Sequence, residues 1–238
     1  MIKTKNISLF KKSLEVVSSL IQETNVRFKD IGIYIKAIDK TQILLVDFSM
    51  SKKAFDSYHI EPNLVGLNIQ ELLHMVSRSF DKDTLVLDLK DQYLDILLKG
   101  KIERNFNLPY MDLSEQKINL PDIKYDANFD INAGLLKEII KDVSLVATTL
   151  IFKIEDSKFI IEATGEKGNI KTKVSEVKVK CKKNIIAKYS LSFLRNIVKS
   201  MDNEAILNIK FSEEVPLYIN YKIDENTNIK FYLSSMLI

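Results

Sequence analysis

At 238 residues, 46% of them hydrophobic, the chain can bury the core of one large domain or of two ordinary ones. Its apolar runs stop short of the ~18 residues that span a bilayer, and its basic amino end lacks the apolar stretch of a secretory signal, so neither a membrane-spanning helix nor a secretory signal is expected. One cysteine, Cys181, cannot form an internal disulfide and suits a reducing interior; a formal charge of +3 points to a polyanion only if the basic residues share a face.

In chain order, Phe10, Leu14, Val17 and Ile21 recur at helical spacing, widened by Leu9, Val16 and Leu20, and predict a helix over 7–21. Apolar, β-branched runs over 27–39 and 42–50, punctuated at Asp39-Lys40-Thr41, predict strands. Phe55, Tyr58 and Ile60 alternate around charges and predict another. Asn68 is placed to cap a second helix, with Ile69, Leu72, Leu73, Val76 and Phe80 on its core face and Gln70, His74, Ser77 and Arg78 opposite. Residues 83–89 and 93–100 read as strands joined at Lys90-Asp91. Residues 100–126 then lack periodicity and carry Pro109 and Pro121, which suit neither a central strand nor a helix interior. This is the pattern of a linker or binding loop, with Ile118, Leu120 and Ile123 as apolar anchors.

The second half repeats the first. Leu135, Leu136, Ile139, Ile140 and Val143 predict a helix starting at Asn132, with Lys137, Glu138, Lys141 and Asp142 outward. Strands follow over 148–156 and 158–164, then a turn at Gly165-Glu166-Lys167-Gly168, then a long alternating strand over 169–182. Ser190 opens a helix with Leu191, Leu194, Ile197, Val198 and Met201 inward and Arg195, Asn196 and Lys199 outward. Strands at 205–211, 216–223 and 229–235 close the chain. Each half runs helix, strands, helix, strands. A repeat near half the length implies two similar α+β domains, each with two helices on one face of an antiparallel sheet. Many α+β domains share so coarse a pattern, so periodicity alone leaves coincidence open.

Catalytic chemistry is missing. His59 and His74 are far apart in sequence, and neither has a further ligand at metal spacing. The Gly165–Gly168 turn joins two strands and has its lysine in the wrong place for a phosphate loop. Asp81/Asp83 and Glu213/Glu214 read as solvated turn carboxylates. Cys181 lies among lysines but on a strand, where an incidental cysteine is the simpler reading. No enzyme activity, cofactor or metal is expected. The outward helix faces, by contrast, gather Lys11, Lys12, Arg78, Lys137, Lys141, Arg195 and Lys199 against the fewer acids Glu15, Glu71, Glu138 and Asp142. Lysines on one helix usually only keep it wet. Contributed by all four helices to one concave surface, they would form a track that neutralises phosphates without reading bases.

Over its whole length the chain resembles the sliding clamps of the proliferating cell nuclear antigen (PCNA) family. The resemblance rests on the order and spacing of short segments. These are Leu9-Phe10-Lys11-Lys12-Ser13-Leu14-Glu15, Ala37-Ile38-Asp39, Val46-Asp47-Phe48, Phe55-Asp56-Ser57-Tyr58, Val65-Gly66-Leu67-Asn68, Met111-Asp112-Leu113, Asn119-Leu120-Pro121, Ala163-Thr164-Gly165-Glu166, Glu214-Val215-Pro216-Leu217, Tyr221-Lys222 and Phe231-Tyr232-Leu233. It implies a clamp domain over 1–109, an interdomain connecting loop over 110–126 and a second clamp domain over 127–238. It further implies a non-catalytic ring of three chains, helices inward, that encircles double-stranded DNA. Such a ring is placed by a clamp loader, tethers a polymerase, flap nuclease or ligase, and acts inside the cell on DNA. Facing edges of neighbouring subunits are expected near 93–101 and 171–180.

By matched position, a partner pocket would use Ile38, Gln42, Ile43, Leu45, Ile118, Asn119, Leu120, Pro216, Ser234 and Ser235. The tail Ser234-Ser235-Met236-Leu237-Ile238 replaces the family's usual Ala-Pro followed by a basic and an acidic residue. Ser18, His74, Glu138 and Ser192 stand where the family often has Lys or Arg. These departures imply one subunit of a heterotrimeric clamp, with a homotrimer as competitor; a checkpoint-type clamp subunit and an α+β interaction protein without DNA are the alternatives.

Overall fold

A computed structural model describes residues 1–115, 118, 122–181 and 183–237. Among the described residues, seventeen strands and four α-helices follow one another in an order that repeats. The first half runs β1 (Ile2–Thr4), α1 (Ile7–Ser18), β2 (Glu23–Lys29), β3 (Gly32–Ile38), β4 (Leu44–Ser51), a short β5 (Ser57–Tyr58), β6 (Asn63–Asn68), α2 (Ile69–Val76), β7 (Thr84–Leu89), β8 (Tyr93–Lys99) and β9 (Arg104–Pro109). The second runs β10 (Ala127–Asn132), α3 (Ala133–Ser144), β11 (Thr149–Glu155), β12 (Lys158–Gly165), β13 (Gly168–Val174), β14 (Ile185–Ser190), α4 (Leu191–Lys199), β15 (Ile206–Phe211), β16 (Leu217–Lys222) and β17 (Thr227–Leu233).

The pairing repeats as well, all of it antiparallel. In the first half β1 pairs β7 and β7 pairs β8, while β6 pairs β2 and β2 pairs β3. In the second, β10 pairs β15 and β15 pairs β16, while β14 pairs β11 and β11 pairs β12. The same ladder drawn twice removes coincidence as an explanation of the repeated pattern. Compact unit 1 comprises residues 1–39, 46–118 and 223–229; unit 2 comprises 40–45, 119–222 and 230–238.

Each helix pair forms because its apolar stripe is wide enough to bury against both a sheet and the other helix. α1 packs on α2, and α3 on α4. Phe10, Leu14 and Val17 are buried on α1, and Leu136, Ile139, Ile140 and Val143 on α3. Three helices begin on an asparagine whose side chain accepts the first orphan amide: Asn6 from Leu9 at 3.2 Å, Asn68 from Glu71 at 2.9 Å, Asn132 from Leu135 at 3.0 Å. The core of unit 2 is aromatic. Phe152 meets Phe159, Tyr189 and Phe211 with ring centroids 5.1, 5.4 and 5.8 Å apart.

Several elements differ from the sequence reading. The second helix ends at Val76, so Phe80 lies beyond it and is 54% exposed rather than core; Leu73 and Leu135 are half-buried. The strand around Phe55 is only Ser57–Tyr58, with Phe55 packed against Phe10 and Tyr58. The long strand over 169–182 stops at Val174, and Lys180 makes a single bridge to Asn128. β1, β6, β10 and β14 are strands that the sequence reading does not predict. Part of the aperiodic stretch is also strand: Arg104–Pro109 pairs with Tyr93–Lys99. That moves the open edge. Tyr93–Lys99 is paired on both sides, so β9 is the edge of this sheet, with its proline at the last position. In unit 2 the edge is β13, in line with 171–180 in part.

Candidate functional site

Within unit 1, Lys11 and Lys12 lie half-buried on α1 and Arg78 is exposed just after α2. Within unit 2, Lys141, Arg195 and Lys199 are exposed on α3 and α4, and Lys137 is half-buried. All seven are therefore outside the helix cores, and with Glu15, Glu71, Glu138 and Asp142 the helix faces carry more cations than carboxylates. The cations are not equally available. Lys137 Nζ donates to the Met201 carbonyl at 2.6 Å and to Asn203 Oδ1 at 2.8 Å, tying α3 to the end of α4. Lys141 Nζ pairs with Glu138 Oε1 at 2.6 Å one helical turn away, which offsets its charge.

The linker leaves unit 1 pinned. Met111 N donates to the Gly66 carbonyl at 2.9 Å, and Asn25 Nδ2 donates to the carbonyls of Leu113 and Ser114 at 3.2 and 3.3 Å. Arg27 pairs with Glu115. A Cβ on Gly66 would sit 2.2 Å from the Met111 carbonyl oxygen, so only glycine allows the approach. In unit 2 the linker arrives with Tyr125 against Tyr218, centroids 6.1 Å apart, and Asp126 paired to Lys183 at 3.1 Å. The bond from Lys183, then that from Ser212, holds the Asp126 carboxyl below its usual range.

Of the pocket residues, Gln42 is exposed at a left-handed turn (φ 60°), Ile43 is 36% exposed and Leu45 is buried. Ser234 N donates to the Ile43 carbonyl at 2.9 Å, which brings the tail and this turn together inside unit 2. Pro216, Ser234 and Ser235 are half-buried in the same unit. Ile38 and Ile118 are half-buried and belong to unit 1. Asn119 and Leu120 lie outside the described residues.

Sequence reasoning missed three groups. Asn25 and Arg27 anchor the linker, but nothing on a strand marks them for it. Tyr125, Tyr218 and Tyr232 form a row, with Tyr218 and Tyr232 5.3 Å apart. Nothing in the sequence marks them: Tyr218 on β16 and Tyr232 on β17 meet because those strands are neighbours in the sheet. Asp83 is 3% exposed, not a solvated turn residue. It accepts from Phe80 N at 2.9 Å and faces Arg104 Nη1 at 3.6 Å. Arg104 also donates to the Arg78 carbonyl at 2.9 Å and lies 4.5 Å over the Phe80 ring. The exposed Phe80 thus keeps a partner on its face.

His59 lies in a cleft of about 830 Å³ with Asp30, Glu61, Asp88 and Asp91, and His74 Nδ1 is 3.9 Å from Glu71. Among the described residues no three His, Cys, Asp or Glu side chains come together as a metal site. None of their helices is long and apolar enough to cross a membrane.

The model for the PCNA N-terminal domain matches residues 1–129, and that for the PCNA C-terminal domain matches residues 119–236. The chain belongs to the PCNA family. The DNA polymerase sliding clamp of Pyrococcus furiosus is 27% identical over 232 residues, 94% of this chain and 93% of that one. That of Methanococcus vannielii is 27% identical over 224 residues, 90% of each. The crystal structure of PCNA from Thermococcus kodakaraensis superimposes with a TM-score of 0.92 at 21% identity over 99% of both chains, and that from Entamoeba histolytica with 0.90 at 22% over 99% and 98%. The family's two-domain fold, with four helices and antiparallel sheets, is therefore this chain's fold.

Proposed function

We propose that this chain is a subunit of a DNA sliding clamp: it closes with two clamp subunits into a ring around duplex DNA and tethers a polymerase, flap nuclease or ligase as a processivity factor. The observation that carries the reading is the doubled ladder with a helix pair in each unit, whose outward faces hold more cations than carboxylates. Cations on every side of a duplex neutralise phosphates without reading sequence, so the ring holds on yet slides. Lys11, Lys12, Arg78, Arg195 and Lys199 carry this contact, with smaller shares from Lys137 and Lys141, whose ammoniums are engaged. Residues 1–109 and 127–238 are the two clamp domains, and 110–126 is the loop under which partner motifs dock, beside Ile38, Gln42, Ile43, Leu45, Ile118, Asn119, Leu120, Pro216, Ser234 and Ser235. The edges β9 and β13 pair between neighbours, which closes a heterologous interface and covers both open ladders. A clamp loader opens and places the ring, and the protein works inside the cell on DNA.

The test of function is polymerase extension on primed circular DNA. Replacing Lys11, Lys12, Arg195 and Lys199 with glutamate abolishes stimulation; undiminished stimulation refutes the DNA-facing role. The changed tail and the residues Ser18, His74, Glu138 and Ser192, which stand where the family often has Lys or Arg, support a ring shared with two related chains. Size-exclusion chromatography with light scattering reads this: the chain alone elutes below trimer mass, and a stable trimer alone refutes the heterotrimer.

A further inference from the structure

The open edges β9 and β13 differ in charge. Along β13 and just past it, Lys171, Lys173, Lys178 and Lys180 are exposed, against a single carboxylate, Glu176. Lys171 pairs with Glu162 of β12 at 2.7 Å. Among the described residues no carboxylate forms an ion pair with Lys173, Lys178 or Lys180. The edge strand β9 has one charged residue, Arg104, and its guanidinium is already engaged by Asp83 and the Arg78 carbonyl. The exposed positions of β9 are Asn105, Asn107 and Pro109. Both exposed rows point away from the helices. In unit 1, Phe106 and Leu108 lie opposite the buried Ile96 and Leu94 on the face that α2 covers, which leaves Asn105 and Asn107 on the other. In unit 2, α3 packs on β13 where Val174 is buried, which leaves Lys171 and Lys173 on the other. Asp95 is on the outward face of unit 1 too, but one strand in from the edge, opposite Asn107, where Asp88 and Lys90 share its field.

We propose that β13 is a charge-selective edge: it takes the edge strand of a clamp subunit of different sequence that carries carboxylates outward, and it discriminates against β9 of an identical chain. The inference rests on the mixed-ring reading above and names the chemistry by which the neighbour is chosen. Side chains directly opposed across a strand pair lie about 5 Å apart, so the lysines of β13 meet whatever the neighbour places there. β9 of a copy places amides, and Lys173 stays without a counter-charge. A strand bearing aspartate or glutamate supplies one. Selectivity thus comes from the pairing that a copy fails to make as much as from the one a proper neighbour makes. The two contacts of this subunit in a ring then respond differently to salt. The one through β13 weakens as ionic strength rises, because exposed ion pairs are screened, and the one through β9 changes far less.

The test builds the missing charges into this chain's own β9 and needs no other subunit. Asn105→Asp combined with Asn107→Asp makes β9 acidic at two exposed positions, and sedimentation equilibrium over a range of concentrations reads the association. Two exposed ion pairs strengthen each contact about fivefold, and three contacts strengthen a closed ring on the order of a hundredfold. The variant therefore reaches a given weight-average mass at about tenfold lower concentration than the wild type, and 0.5 M salt removes the gain. Adding Lys171→Gln and Lys173→Gln to the variant also removes it, and melting curves confirm that all these chains fold. A variant that associates no more than the wild type, or a gain that survives the glutamines, overturns the inference and leaves the mixed ring standing. A wild-type chain that forms a stable trimer by itself refutes the mixed ring and this inference together.

Discussion

Replacing Asp83 with alanine will destabilise unit 1 far more than a turn substitution should. The carboxylate side chain is 2% exposed and the guanidinium that faces it, on Arg104, 17% exposed. Removing one partner of such a pair strands the other charge, a loss of about 3–5 kcal/mol. The amide of Phe80 loses its acceptor as well, for about 1 kcal/mol more. For a chain of this size each kcal/mol moves the melting temperature by roughly 2–4 °C, so the combined loss of about 4–6 kcal/mol predicts a fall of about 8–24 °C. Differential scanning calorimetry measures it directly. The paired replacement Asp83→Leu with Arg104→Met recovers most of the loss, because burying two apolar groups avoids the stranded charge. A fall below about 2 °C for Asp83→Ala would refute the reasoning and return Asp83 to the solvated turn residue its sequence context suggests.

Two further outcomes follow from the geometry. Gly66→Ala pushes a methyl into the Met111 carbonyl and frees the linker's first foot; limited proteolysis will cut near 111–115 faster than in the wild type, and equal rates would contradict the pinning. Burial raises the phenols of Tyr58, Tyr125 and Tyr189, most of all by desolvation, so each stays neutral in the folded chain above the ordinary tyrosine value of about 10. A raised folded pKa stabilises fully below the unfolded one and the benefit is lost as pH rises through the folded value. Absorbance titration should therefore show part of the nine tyrosines ionising only above about pH 11, together with unfolding; a single transition near pH 10 in the folded protein would contradict it.

Residues whose signal is periodic were legible in the sequence. The helices were found because a stripe of leucine, isoleucine and valine at helical spacing has few other uses, and the repeat of halves emerged from their order. What failed was local termination. Val177 and Val179 extend the alternation past Val174, yet the ladder ends there, since register is decided by a partner strand that one sequence does not name. Phe80 fits the apolar stripe of the second helix but falls after the chain has turned at Ser77. Arg104–Pro109 was hidden because an edge strand tolerates a proline and polar residues that a central strand does not. The cationic helix residues were legible as a set, while the ties of Lys137 to α4 and of Lys141 to Glu138 depend on side-chain reach. Asp83 and the tyrosine row were invisible for the same reason: Asp83 and Arg104 are far apart along the chain, and so are Tyr125 and Tyr218.

The most direct measurement loads the assembled ring onto nicked circular DNA with its clamp loader, removes unbound protein by gel filtration, and then linearises half of the sample. An encircling clamp stays with the circle and slides off the linear ends, so the DNA fractions lose the protein only after cutting. Equal retention on both forms would mean an ordinary surface contact, and would contradict a topological link to DNA.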